Sequence, residues 1–99
     1  MALMQIAVVP IGTSSPSIGD YVADAVRLAK ESGLAWQLDE FGTVVEGSVE
    51  ELLRLATRMH SGAFSKGAQR VTTSIELDER RDKEVHLGGK SQAVKNRLG

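Results

Sequence analysis

A short apolar strand that runs directly into a capped helix constrains this chain more than any other stretch. It reads Phe41-Gly42-Thr43-Val44-Val45-Glu46-Gly47-Ser48-Val49-Glu50-Glu51. Ser48 and Glu51 stand three apart, the spacing at which a hydroxyl and a carboxylate satisfy each other's free backbone donors, so a helix begins there. Val49, Leu52, Leu53, Ala56, Met59, His60 and Ala63 then recur on one helical face, and Gly62 and Gly67 mark its end. A strand feeding such a helix needs a sheet to lie in and a core to cover.

The flanking segments supply both. Met4 to Ile11 is rich in β-branched residues and stops at Gly12, which predicts a first strand. The loop from Ser14 to Ser17 contains Pro16, and Ser17 is the expected N-cap of a helix carrying Ile18, Tyr21, Val22, Ala25, Val26, Leu28 and Ala29 on its apolar side. Gly33 ends it. Ala35 to Asp39 and Gly42 to Glu46 flank Glu40-Phe41 as a hairpin of short strands. Arg70 to Asp78 alternates, with Val71, Thr73, Ile75 and Leu77 on one face. The charged run from Asp78 to Glu84 reads as an exposed loop, and Ser91 to Leu98 as two helical turns that need a surface to dock on.

The order β-α-β-β-α-β predicts an α+β, ferredoxin-like split βαβ domain spanning 1–99, with an antiparallel sheet, two helices on one face and a short C-terminal helix. The first strand is apolar on both faces, Ile6 and Val8 on one and Ala7, Val9 and Ile11 on the other. With no further element to cover the second face, burial by another copy is the economical expectation. At ~25 cal/mol per Å², several hundred Å² of apolar surface there represents on the order of 10 kcal/mol. A homo-oligomer, dimer or tetramer, is therefore expected.

Composition removes several classes of function. Twelve basic and 13 acidic residues leave a formal charge of −1, so no electrostatic footprint suggests nucleic acid or an anionic membrane. Ile6 to Ile11 is too short to span a bilayer. The absence of cysteine removes disulfides, thiolate metal sites and cysteine nucleophiles, and fits a reducing cytoplasm. Neither His60 nor His86 has metal-ligand spacing with its neighbours, and His60 on the apolar stripe reads as a core or interface residue. Gly88-Gly89-Lys90-Ser91 resembles the end of a P-loop, but Glu84 stands where the first glycine is required. No serine has a histidine close in sequence, so no nucleophile and base can be paired and no catalytic residue is assigned.

Two places are left that can hold a ligand. Thr43 and Glu46, near Trp36 and Phe41, suit a small cationic or amine-bearing heterocycle; the same residues also read as a β-former, a solvated carboxylate and a core indole. The hydroxyl-rich loop from Gly12 to Ser17 suits an anion or a polar ring substituent, or is simply a turn and cap.

Taken together, Val9-Pro10-Ile11-Gly12-Thr13, Ser17-Ile18-Gly19-Asp20-Tyr21-Val22, Gly42-Thr43-Val44-Val45-Glu46-Gly47 and Asp78-Glu79-Arg80-Arg81-Asp82-Lys83 resemble the small thiamine-binding protein family of bacteria and archaea. The resemblance runs over nearly the whole chain. It implies a ferredoxin-like fold, assembly as dimers and commonly tetramers, and binding of thiamine or its hydroxymethylpyrimidine part without chemistry or a cofactor. It also implies pocket roles for Thr13, Ser17, Thr43 and Glu46, while Tyr21 and Trp36 are expected to stack on the cationic ligand. A competing expectation, from a different class, is a ligand-free structural or regulatory module that works by oligomerising.

Overall fold

The computed structural model describes all 99 residues. Its elements are β1 (Ala2–Pro10), α1 (Gly19–Glu31), β2 (Ala35–Asp39), β3 (Gly42–Gly47), α2 (Val49–Ser65), β4 (Val71–Glu79) and α3 (Gly89–Leu98). The four strands form one antiparallel sheet in the order β2-β3-β1-β4, the ferredoxin-like arrangement.

Register decides which side chains meet. Met4 stands opposite Val45 and Leu77, Ile6 opposite Thr43 and Ile75, and Trp36 opposite Val45, so these residues share the helix-covered face. Met4, Ile6 and Val45 pack there against Leu52, Leu55, Ala56 and Met59 of α2 and Ala29 of α1. The capping box at the start of α2 is formed: Glu51 N–H donates to Ser48 Oγ at 3.1 Å, and Ser48 N–H to Glu51 Oε1 at 3.0 Å. Those bonds also hold the Glu51 carboxyl below its ordinary pKa.

Two expectations need correction. Ser17 does not cap α1. Its N–H donates to Ser15 Oγ at 3.1 Å while Thr13 Oγ1 donates to Ser15 O at 2.6 Å, so the loop closes on itself and Ile18 takes the N-cap position with no side-chain bond. On α2, Leu55 is buried and Leu53 exposed, because the stripe facing the sheet runs Leu52, Leu55, Ala56, Met59, Ala63. Ile75 and Leu77 share the helix side as the alternation predicts, and they remain 45% and 41% exposed because β4 is an edge strand that α2 overhangs only in part. α3 buries none of its own residues.

The chain also supplies part of the cover for its second face. Past β4 it turns back, Val85 is buried beside Leu3, and Leu87 N–H donates to Glu46 Oε1 at 2.7 Å. Lys90 Nζ reaches Asp78 Oδ2 at 2.7 Å. The rest of that face is more polar than β1 alone suggested, because β4 contributes Thr72, Ser74 and Glu76 and β2 contributes Gln37 and Asp39.

Candidate functional site

A cleft opens where the β1–β3 ladder stops. β1 pairs with β4 as far as Pro10 but with β3 only as far as Ile6. Ile11 N–H bonds Arg70 O at 2.8 Å, so by antiparallel alternation the odd-numbered residues of β1 bond to β4 and the even-numbered ones face β3. Val8 therefore directs its backbone N–H and C=O into a gap that no strand fills. Ile18, Val22 and Ala25 of α1 and Met59 of α2 roof the gap, and the hairpin tip from Leu38 to Gly42 forms its side.

The hairpin comes this close only because residue 42 is glycine: a Cβ there would lie 2.8 Å from Ile6 O. Next to it, Thr43 lines the floor at 4% exposure. Its hydroxyl makes no hydrogen bond within the protein, and since no side-chain polar atom is both sealed off and unpaired, the oxygen meets the cleft. The volume is about 150 Å³, mostly walled by apolar side chains. Cavities of ~150 Å³ admit a benzene ring. At the mouth stand Asp39, Glu40 and Phe41, whose ring is 86% exposed; Asp39 Oδ1 accepts from Gln37 Nε2 at 3.1 Å.

The first turn of α1 separates this cleft from a second, polar recess of about 720 Å³. Ile18 and Val22 face the cleft, whereas Thr13, Ser17 and Tyr21 line the recess with Lys66 and Arg70. Lys66 Nζ is 3.0 Å from Asp24 Oδ2, and Arg27 reaches Oδ1 of the same carboxylate at 2.6 Å. These two cations, Lys66 foremost, hold the Asp24 carboxyl below its ordinary pKa, and Asp24 raises that of Lys66.

The six residues singled out from the sequence are thus distributed. Thr13, Ser17 and Tyr21 share the recess, and Thr43 lines the cleft. Trp36 packs on the edge of the core. Glu46 points from the opposite face to Thr43, three residues away on a strand of period two, and is occupied by Leu87 N–H with His86 Nδ1 at 3.5 Å. Sequence reasoning missed the free backbone of Val8 and the acids at the mouth. The unequal lengths of β1 and β3 were the available signal. No group of three or more His, Cys, Asp or Glu is placed to hold a metal, and no helix is long and apolar enough to cross a membrane.

Comparison with known proteins places this geometry in context. The family model described as thiamine-binding protein matches residues 4–95. UPF0045 protein YqgV of Bacillus subtilis is 35% identical over 102 residues, covering 99% of this chain and 98% of its own. A UPF0045 protein of Methanothermobacter thermautotrophicus is 31% identical over 99% of this chain and 100% of its own. Among solved structures, the hypothetical protein MJ1052 of Methanocaldococcus jannaschii superposes with a TM-score of 0.87 at 30% identity, covering 95% of each chain. A Thermotoga maritima protein described as a candidate in thiamine biosynthesis or salvage shares the fold, with a TM-score of 0.81 at 17% identity over 94% of this chain and 97% of its own.

Proposed function

This chain belongs to the thiamine-binding protein family, and we propose that it binds thiamine or its hydroxymethylpyrimidine part, without catalysis, in the cleft between Val8 and the β2–β3 hairpin. The observation that carries this reading is the Thr43 hydroxyl, unpartnered in the protein and open to the cleft, beside the free backbone edge of Val8. An aminopyrimidine presents a ring nitrogen that accepts and an amine that donates, and one residue of free strand edge offers the complementary N–H and C=O. The cleft volume fits one six-membered ring and leaves the rest of thiamine outside. Its thiazolium cation then emerges between Asp39, Glu40 and the exposed ring of Phe41, which attract positive charge.

In this reading Thr43 is the buried polar contact, and Thr13, Ser17 and Tyr21 act from the recess beyond the first turn of α1 on whatever part of the ligand extends there. Calorimetric titration with both compounds tests it. Hydroxymethylpyrimidine and thiamine should both bind at one site per chain, and Glu40→Gln should weaken thiamine while leaving the uncharged pyrimidine alone. Failure of both compounds to bind the wild-type protein, or to raise its melting temperature at millimolar concentration, would leave the ligand-free module as the better account.

A further inference from the structure

The polar recess beyond the first turn of α1 is lined by hydrogen-bond donors and by no carboxylate, in a chain whose acids outnumber its Lys and Arg. Arg70 enters it from the residue before β4 and pairs with no carboxylate in the protein. Lys66 enters from the end of α2. Its partner Asp24 is shared with Arg27, and Asp20, the other acid near Lys66, lies outside the recess as Asp24 does. Three cations therefore stand against two carboxylates around this opening, and the carboxylates are behind the wall.

The uncharged lining points the same way. The hydroxyls of Ser14, Ser17 and Tyr21 have no partner within the protein, although the Ser17 N–H and the Thr13 hydroxyl are both taken up by Ser15. The backbone N–H groups of Thr13 and Ser14 meet no backbone carbonyl. These free donors come from the loop, from α1, from the end of α2 and from the approach to β4, so they converge from several directions. A planar carboxylate would be served by the Arg70 fork alone. A tetrahedral phosphoryl group, with about −1.5 to −2 charge at neutral pH and three acceptor oxygens, uses the rest as well.

We propose that the recess is a phosphate-binding site, with Arg70 as its bidentate contact and Lys66, Ser14, Ser17 and Tyr21 as further donors. The phosphoryl group comes either as free phosphate or as an ester on the ligand of the neighbouring cleft. The two openings adjoin: Ser17 lines one and Ile18 the other, and Val9 and Ile11 stand two residues apart on one extended run, ~7 Å. Only the choice between these sources rests on the cleft reading given above. The site itself stands on its own residues.

The test is an NMR titration of labelled protein with inorganic phosphate at fixed ionic strength. Saturable shifts are expected at the Thr13, Ser14 and Ser17 amides and at Arg70 Nε, and sodium acetate should produce none. Arg70→Gln should weaken phosphate binding roughly tenfold or more, since it removes the charge-assisted fork. That substitution keeps the Arg70 carbonyl, which accepts from Ile11 N–H, and alters an exposed side chain, so the fold is retained. Arg81→Gln makes the same change of charge at a residue that does not line the recess, and should leave phosphate affinity within about twofold. Hydroxymethylpyrimidine phosphate that binds more tightly than inorganic phosphate, and loses that advantage in Arg70→Gln, would support the ester as the source; equal affinities would support free phosphate. The absence of saturable shifts with phosphate, equal shifts with acetate, or an Arg70→Gln protein that binds phosphate as the wild type does would overturn the proposal. Phosphate that binds while unphosphorylated hydroxymethylpyrimidine does not would overturn the cleft reading and support the recess alone.

Discussion

Replacing Thr43 by valine separates what the fold needs from what the ligand needs. The two side chains have nearly the same shape, so the core sees almost no change in volume around Ile6 and Met59. What disappears is a hydroxyl with no partner in the protein, on a residue that is 4% exposed overall and whose oxygen meets the cleft. A buried polar group without a partner costs ~1–3 kcal/mol in mutational series, and contact with the cleft relieves part of that. Thr43→Val should therefore stabilise the free protein by about 1 kcal/mol, equivalent to ~4–8 °C in melting temperature for a domain this small. The same change removes one hydrogen bond to bound ligand, worth ~0.5–1.5 kcal/mol, or roughly a two- to twelve-fold loss of affinity. Differential scanning calorimetry and titration calorimetry on one preparation read the two effects. A variant destabilised by more than about 1 kcal/mol would show that the hydroxyl has a protein partner. Undiminished affinity would remove Thr43 from the site.

Gly42→Ala should cost ~1–3 kcal/mol of stability in urea unfolding, because the new methyl meets the backbone carbonyl of Ile6 rather than a side chain that can swing away. It should also weaken ligand binding by displacing the hairpin tip. Glu46→Ala removes the acceptor for Leu87 N–H; hydrogen exchange should accelerate at Leu87 and Val85 while ligand affinity stays within about twofold, as expected for a residue on the opposite face. The Asp24–Lys66 pair, which joins α1 to the end of α2, gives a pH signature of known sign. Asp24 titrates below its unfolded value, so its contribution is present above about pH 4 and is lost as pH falls through the depressed pKa. Lys66 titrates above its unfolded value, so its contribution is present below that value and is lost as pH rises through the raised pKa. Both groups are exposed, so Asp24→Asn should shift melting temperatures only slightly at neutral pH while flattening the acid-side dependence.

Much of the architecture was legible because local signals agreed with one another. The Ser48–Glu51 box, the stripe through Leu52, Ala56 and Met59, and the alternation from Val71 to Leu77 each specify one element, and together they leave one compact topology. What could not be read was tertiary. Ser17 had a good capping residue's chemistry, yet Ser15, which holds its N–H, was in competition for the same turn. Leu53 and Leu55 differ by about half a helical turn, and only the position of the sheet says which is inside. Residue types alone said less about the candidate cleft. Thr43 stood out by type and position, but its pairing with Glu46 overlooked that an odd spacing on a strand sends two side chains to opposite faces. Glu46 instead receives a segment 41 residues further along, a long-range contact with no local trace. Nor could residue types reveal the vacant edge at Val8, since it arises from one strand outrunning its neighbour.

The account is tested most directly at the Val8 amide, followed by NMR as hydroxymethylpyrimidine is added. The proposed edge-on pairing predicts a large shift and slowed exchange at that amide, with Gly42 and Thr43 responding alongside it. An amide at Val8 that stays unmoved while saturable changes gather elsewhere, around Glu46 or the loop before α1, would contradict it.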